Sequence, residues 1–209
     1  MIPRWEPITP AALTDRLADR VADWSTGAGG VLRVAVDGAP WTGPDELAAS
    51  LLEPLRRRSR PAVHVPSSSF WHDASLRLEH GRQDVEAYRS WPDADALQRE
   101  VLAPAVARGT YLPSLRDPRT NRATRAPVQA LAADGIVLVS GAFLLGRGLT
   151  FDHTVHLAVS AATRARRAGP TDGWTLPAFA AYDESVRPME HADVVIKLDD
   201  PRHPAISCR

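Results

Sequence analysis

Cysteine is nearly absent. The single one, Cys208, stands next to last in 209 residues and has no second thiol to pair with. A disulfide scaffold is thereby excluded, and a reducing cytoplasm is the expected location. An excess of one charge is missing too: 25 basic and 25 acidic side chains leave a formal net charge of zero. Nucleic-acid binders usually carry a basic surplus, so nucleic acid is not an expected partner. No apolar run approaches the roughly 20 residues that span a bilayer, so no membrane association is expected either. The opening Met1-Ile-Pro-Arg-Trp-Glu-Pro7 lacks the basic-then-apolar order of a signal peptide. Lysine is scarce, which reflects genome composition and not function.

What remains is the profile of a folded protein, 44% apolar and 24% charged. The length suits one core. Leu13, Leu17, Val21 and Trp24 fall on one face of a helix over 11–24, which the Gly27–Gly30 stretch should end. Short β-branched runs at 31–36, 62–65, 135–139, 153–159 and 193–197 read as buried strands. Helical spacing fills 44–58 and 93–108, and an Arg-rich helix starts near Ser160. Residues 66–92 read as loop and short helix, and 109–130 as a hairpin or loop. Strands alternating with helices predict an α/β fold with a mostly parallel, five-stranded sheet covered on both faces. We divide the chain into an N-terminal helical extension, 1–30, and an α/β domain, 31–209.

One motif stands after the first of these strands. Gly38-Ala-Pro-Trp-Thr-Gly43-Pro44-Asp45 has the glycine spacing of a phosphate-binding loop, G-x-x-x-x-G-K-[ST]. Further pieces follow in order: Phe70 with His80-Gly81-Arg82 and Tyr88; Val137-Leu-Val-Ser-Gly-Ala-Phe-Leu-Leu145; Val186-Arg-Pro-Met-Glu-His-Ala-Asp-Val-Val195; and Asp199-Asp-Pro-Arg202. This ordered set, over roughly 31–206, resembles the uridine kinase type of P-loop nucleoside kinase. The resemblance implies a three-layer P-loop sandwich. It also implies an acceptor pocket near Ser68, Ser69, Phe70, His72, Arg82, Tyr88 and Ser140, and a lid bringing Arg164, Arg166 and Arg167 towards phosphate.

The departures fall where that family does its chemistry. Pro44 occupies the lysine position and Asp45 the Ser/Thr position, so the loop of Gly38, Thr42, Gly43, Pro44 and Asp45 is degenerate. Ser68 and Ser69 replace the paired aspartates that the family uses as base and metal holder. Ser140 replaces the acidic residue at the end of its third strand. Phosphoryl transfer is catalysed by positioning and charge stabilisation, with lysine and Mg²⁺ offsetting phosphate charge. Pro44 offers neither a cation nor a backbone donor, whereas Asp45 and Glu46 add negative charge. A like-charge pair at ~4 Å costs about 4 kcal/mol at an effective dielectric of 20. The same residues also make a well-formed helix start, with proline first and acids in the first turn.

Other constellations are weaker. The seven histidines show no zinc spacing, and His153 and His156 point to opposite faces of one strand, so no metal is expected. Ser67-Ser-Ser69 with His72 and Asp73 invites a nucleophile reading but lacks the G-x-S-x-G elbow. Trp71, Trp91, Tyr88 and Tyr111 could wall an apolar pocket. The expectation is a kinase-like binding protein without ordinary ATP-dependent transfer, needing no cofactor, with a small molecule or a second copy of itself (a homodimer) as partner. The alternatives are an ATP-independent enzyme of a biosynthetic pathway, or a residual nucleoside or small-molecule kinase in which Asp45 serves as metal ligand.

Overall fold

The computed structural model describes residues 4–25 and 30–208. Seven strands form one sheet: β1 (Glu6–Pro7), β2 (Leu32–Gly38), β3 (Ala62–Pro66), β4 (Ile136–Gly141), β5 (His153–Ala158), β6 (Val194–Lys197) and β7 (Ala205–Cys208). Their spatial order is β1-β7-β6-β5-β2-β4-β3. The five strands foreseen from sequence pair in parallel. The other two, β7 and β1, add antiparallel at one edge, so the sheet is larger than expected and the class is the same. They escaped notice because neither is an apolar run: β1 is two residues long, and β7 follows the turn at Asp200–His203 directly.

Alternation along the strands divides the core, because successive side chains point to opposite faces. Leu32, Val34 and Val36 of β2, with Ile136 and Leu138 of β4, enter one apolar cluster; Ala35, Val137 and Val139 enter another. Both faces are buried, as a parallel sheet requires. Helix α1 (Pro10–Asp23) and helix α2 (Pro44–Arg57) cover the first face, through Leu13, Leu17, Val21, Leu51 and Leu55. Thr9 caps α1 at the amide of Ala12, and the helix closes where the Trp24 amide reaches Val21. The Gly27–Gly30 stop lies mostly outside the described residues.

The second face is covered by a helical run, Ala94–Leu97, Gln98–Leu102 and Ala103–Arg108, and by helix α4 (Leu176–Ser185). The middle of that run widens into a π-helix just before Pro104, which has no amide to donate and whose ring displaces a carbonyl one turn back. Helix α3 (Ala161–Asp172) begins at a Ser160 cap, as anticipated, and kinks at Gly169-Pro170. Residues 109–130 carry two tiny hairpins, 110–111 with 129–130 and 116–117 with 122–123. Among the described residues no helix is long and apolar enough to cross a membrane.

Candidate functional site

The carboxyl ends of β2, β3 and β4 meet over the start of α2, where loops from several strands converge. After β2 the chain makes a 3₁₀ turn at Pro40–Thr42, passes through Gly43 at φ 77° and enters α2 at Pro44. A phosphate-binding loop works by pointing free amides at its anion. Here the amide of Thr42 donates to Ala39 O at 2.8 Å, and that of Gly43 to Pro40 O at 3.1 Å. Pro40 and Pro44 have none to offer. The Thr42 hydroxyl is also turned inward, onto Ala39 O at 2.6 Å. It packs so closely that a methyl group on Gly38 would lie 2.6 Å from it and 2.9 Å from Leu157 Cβ.

The space between this loop and α3 is small. Gly38, Ala39, Thr42, Arg164, Phe179 and Tyr182 surround a void of about 40 Å³, room for about three waters. Of the three arginines expected at a lid, Arg164 reaches it, and its guanidinium is bonded to Asp183. Arg166 turns to Thr163 Oγ1 at 3.2 Å, and Arg167 to the carbonyls of Leu198 and Asp199.

Beneath the loop, Asp37 is completely buried. Its carboxylate accepts from the Leu144 amide at 2.9 Å and the Tyr182 hydroxyl at 3.1 Å, and it meets His156 Nδ1 at 2.7 Å. Tyr182 in turn accepts from the Leu145 amide at 3.1 Å. Burial, with the Asp37 charge behind it, pushes the Tyr182 phenol far above its ordinary pKa, so it stays a donor. This network ties β2, β5, the 142–146 loop and α4 together. The sequence carried a signal for it, since a lone carboxylate closing a buried apolar strand must find donors.

Asp45, in the first turn of α2, accepts a hydrogen bond from Ser140 Oγ at the end of β4. His64 Nε2 lies 2.7 Å from the same oxygen. Ser140 has one proton and directs it to Asp45, so His64 donates from Nε2. Burial lowers the His64 pKa against the opposing pull of Asp45 and Glu46. The order is Asp–Ser–His, with serine in the middle. The imidazole offers this serine a proton and cannot take one, so the row is not a nucleophilic triad.

A cavity of about 420 Å³ opens beside Asp45. Ser68 and Tyr88, expected from sequence, line it, together with Trp71, Trp91 and Phe143. Ser140 is fully buried under it. Phe70 is packed into the core with no exposure, because the 3₁₀ turn at Ser67–Phe70 rotates it inward. Ser69 and Arg82 do not line the cavity, and Arg82 is exposed after a turn. His72 borders a separate cleft and faces Asp93 at 3.5 Å. Asp73 caps a short helix and pairs with Arg116, so the Ser67–Ser69, His72 and Asp73 grouping is not assembled. Tyr111 is buried and donates to Gln129. His153 stacks on Trp24, away from His156. Among the described residues no group of three or more metal-binding side chains comes together.

No protein-family model matches the chain, and no curated protein matches it. Solved structures do. A possible uridine kinase from Bacillus stearothermophilus superposes with a TM-score of 0.73 at 20% identity, over 88% of this chain and 97% of that one. A candidate fructose transport system kinase from Silicibacter sp. TM1040 gives 0.58 at 23%, over 88% and 95%. The YGR205w protein gives 0.62 at 13%, over 97% and 99%. The likeness spans nearly the whole chain in each case, and with the glycine-bounded turn between β2 and α2 it establishes the fold as that of the uridine kinase-like P-loop kinases.

Proposed function

We propose that this uridine kinase-like protein has lost ordinary ATP-dependent phosphoryl transfer and keeps the acceptor-side cavity as a small-molecule binding site. One observation carries the reading: the loop at 38–45 is closed on itself. Its Thr42 and Gly43 amides and its Thr42 hydroxyl are bonded within the loop, and the void above holds about 40 Å³. The electrostatics point the same way. Pro44 stands where a cation would offset phosphate charge, Asp45 and Glu46 add two carboxylates, and Arg164 is already matched by Asp183.

The contact between Asp45 and Ser140 favours a second reading, a residual kinase whose metal-side carboxylate is Asp45 itself. Thermal unfolding with about 1 mM ATP, with and without Mg²⁺, separates the two. A ligand that binds only the folded state stabilises it by about 2.7 kcal/mol at a hundredfold excess over its Kd. The first reading expects no shift in Tm; a Mg²⁺-dependent rise would establish the second.

A further inference from the structure

The cavity beside Asp45 carries the wrong charge for an anion and the right walls for a cation. Tyr88 forms part of its wall, edge-to-face with Trp91 at 4.9 Å and with Phe143 at 5.5 Å; Trp71 meets Trp91 at 5.1 Å. All four rings line the cavity, and so do the side chains of Asp45 and Glu46 at its α2 end. Among the described residues neither carboxylate forms an ion pair. Burial lowers the pKa of their neighbour His64 against the pull of the two carboxylates, which favours its neutral form. Helix α2 presents about half a positive charge at its N-terminus, which leaves two carboxylates mostly uncompensated. Arg119 is the one cation among the lining residues, on an exposed turn at the rim. Arg77 lies over Trp71 and Trp91, 5.1 and 4.8 Å from the ring centroids, without lining the cavity. These indoles therefore already sit beside one guanidinium.

We infer that this cavity binds an organic cation, a protonated amine or quaternary ammonium, with its nitrogen against Asp45 and Glu46 and its body against the aromatic wall of Trp71, Tyr88, Trp91 and Phe143. Faces of aromatic rings attract such cations through the ring quadrupole, and the attraction grows when water is excluded. A volume near 420 Å³ lies within the range of small-molecule sites and holds a ligand of one or two rings. A phosphate or carboxylate ligand would meet two like charges at the same end. The inference rests on the reading of this cavity as a retained small-molecule site and names the ligand's chemistry.

The test compares isosteres that differ in charge. Choline and 3,3-dimethylbutan-1-ol share one shape, and benzyltrimethylammonium and benzoate extend the pair to an aromatic cation and anion. Tryptophan fluorescence and thermal shift report binding to the whole chain. The cations should bind at least about tenfold more tightly than the neutral isostere. The variant Asp45→Asn/Glu46→Gln should remove that preference, bringing choline and its neutral isostere to equal affinity. Equal affinity for choline and its isostere, preference for benzoate, or no cation binding up to about 10 mM would overturn the inference. Should the variant fail to fold, the comparison of choline with its isostere on the unaltered chain still decides. Uridine binding without cation preference would overturn this inference and leave the pocket reading intact. A Mg²⁺-dependent shift with ATP would overturn the loss of kinase function and leave a cation site standing.

Discussion

Asp45 and Ser140 hold a carboxylate and a hydroxyl in contact with their places exchanged relative to the uridine kinase pattern. In that pattern the hydroxyl belongs to the end of the phosphate loop and the acid to the end of the third strand. Here α2 supplies the acid and β4 the hydroxyl, and the Ser140 proton still bridges them. The joint between α2 and β4 is made here by one acid and one hydroxyl. Two acids at this distance would repel, and two hydroxyls would leave Glu46 as the one acid in the first turn of α2.

A reciprocal exchange tests this directly. Ser140→Asp alone sets two carboxylates against each other and should destabilise the fold by about 2–3 kcal/mol at neutral pH, less than the full Coulomb repulsion because one acid will take up a proton. Asp45→Ser with Ser140→Asp should return to within about 1 kcal/mol of the unaltered chain. Urea unfolding of the four proteins in the cycle measures the coupling. A double variant no more stable than Ser140→Asp would mean that the contact contributes nothing.

Asp37 is expected to matter more for stability than any residue of the cavity wall. Asp37→Ala would strand the Leu144 amide, the Tyr182 hydroxyl and His156 in the interior. Each unpaired buried group costs about 1–3 kcal/mol, so a loss of at least about 3 kcal/mol is expected. Tyr182→Phe, which strands the Leu145 amide and removes one donor to Asp37, should cost about 1–2 kcal/mol. Denaturant midpoints decide; an Asp37→Ala cost below about 1 kcal/mol would show that water replaces the lost partner.

The parallel strands were legible because both faces of the sheet are buried, so Val34–Val36, Ile136–Val139 and Val194–Ile196 are unbroken apolar runs. The two antiparallel strands, Glu6–Pro7 and Ala205–Cys208, carry no such pattern, which is why they emerged only with their pairing. The loop was legible from glycine spacing, but its closure was not. That depends on where the Thr42 and Gly43 amides point, which spacing does not encode. Within the acceptor side, Ser68, Trp71, Tyr88 and Trp91 lie together in the cavity, while a single 3₁₀ turn sends Phe70 into the core. His64 was passed over as one of seven scattered histidines. It shares a face of its strand with Pro66, whose register partner is Ser140, and that parity was the available signal.

Acid should unlock the junction of β2 and β5 early. Arg33 binds Asp152 three ways: its backbone amide to Oδ2 at 2.8 Å, Nε to Oδ2 at 3.0 Å and Nη2 to Oδ1 at 2.7 Å. Burial alone would raise the Asp152 pKa, but these bonds and the guanidinium charge hold it below the ordinary carboxylate value. Because folding lowers this pKa, the stabilisation is complete above about pH 4 and is lost as pH falls through the lower folded value. Asp152→Asn should therefore cost about 1.5–3 kcal/mol near pH 7, with the difference from the unaltered chain shrinking below about pH 4. A difference independent of pH would assign the effect to packing instead of charge.

Restoring the loop residues alone should not restore a kinase. Pro44→Lys with Asp45→Thr returns a cation and a metal-side hydroxyl and removes one charge opposed to phosphate. The rest of the machinery stays absent. Ser68 lines the cavity with no carboxylate to accept a proton from an acceptor hydroxyl. Ser140, having lost Asp45, faces a threonine, so that contact then holds two hydroxyls and no acid. The Thr42 hydroxyl still closes the loop onto Ala39, and Asp183 still holds Arg164 away from any phosphate. Residues that act as a unit are strongly non-additive, so repairing part of the set recovers little of its rate. Transfer of labelled phosphate from ATP to uridine or cytidine by the double variant should stay at background, while weak ATP binding can return with the lysine. Turnover in the ordinary kinase range of roughly 1–100 per second would show that the catalytic base lies elsewhere and that the loop alone separates this chain from an active kinase.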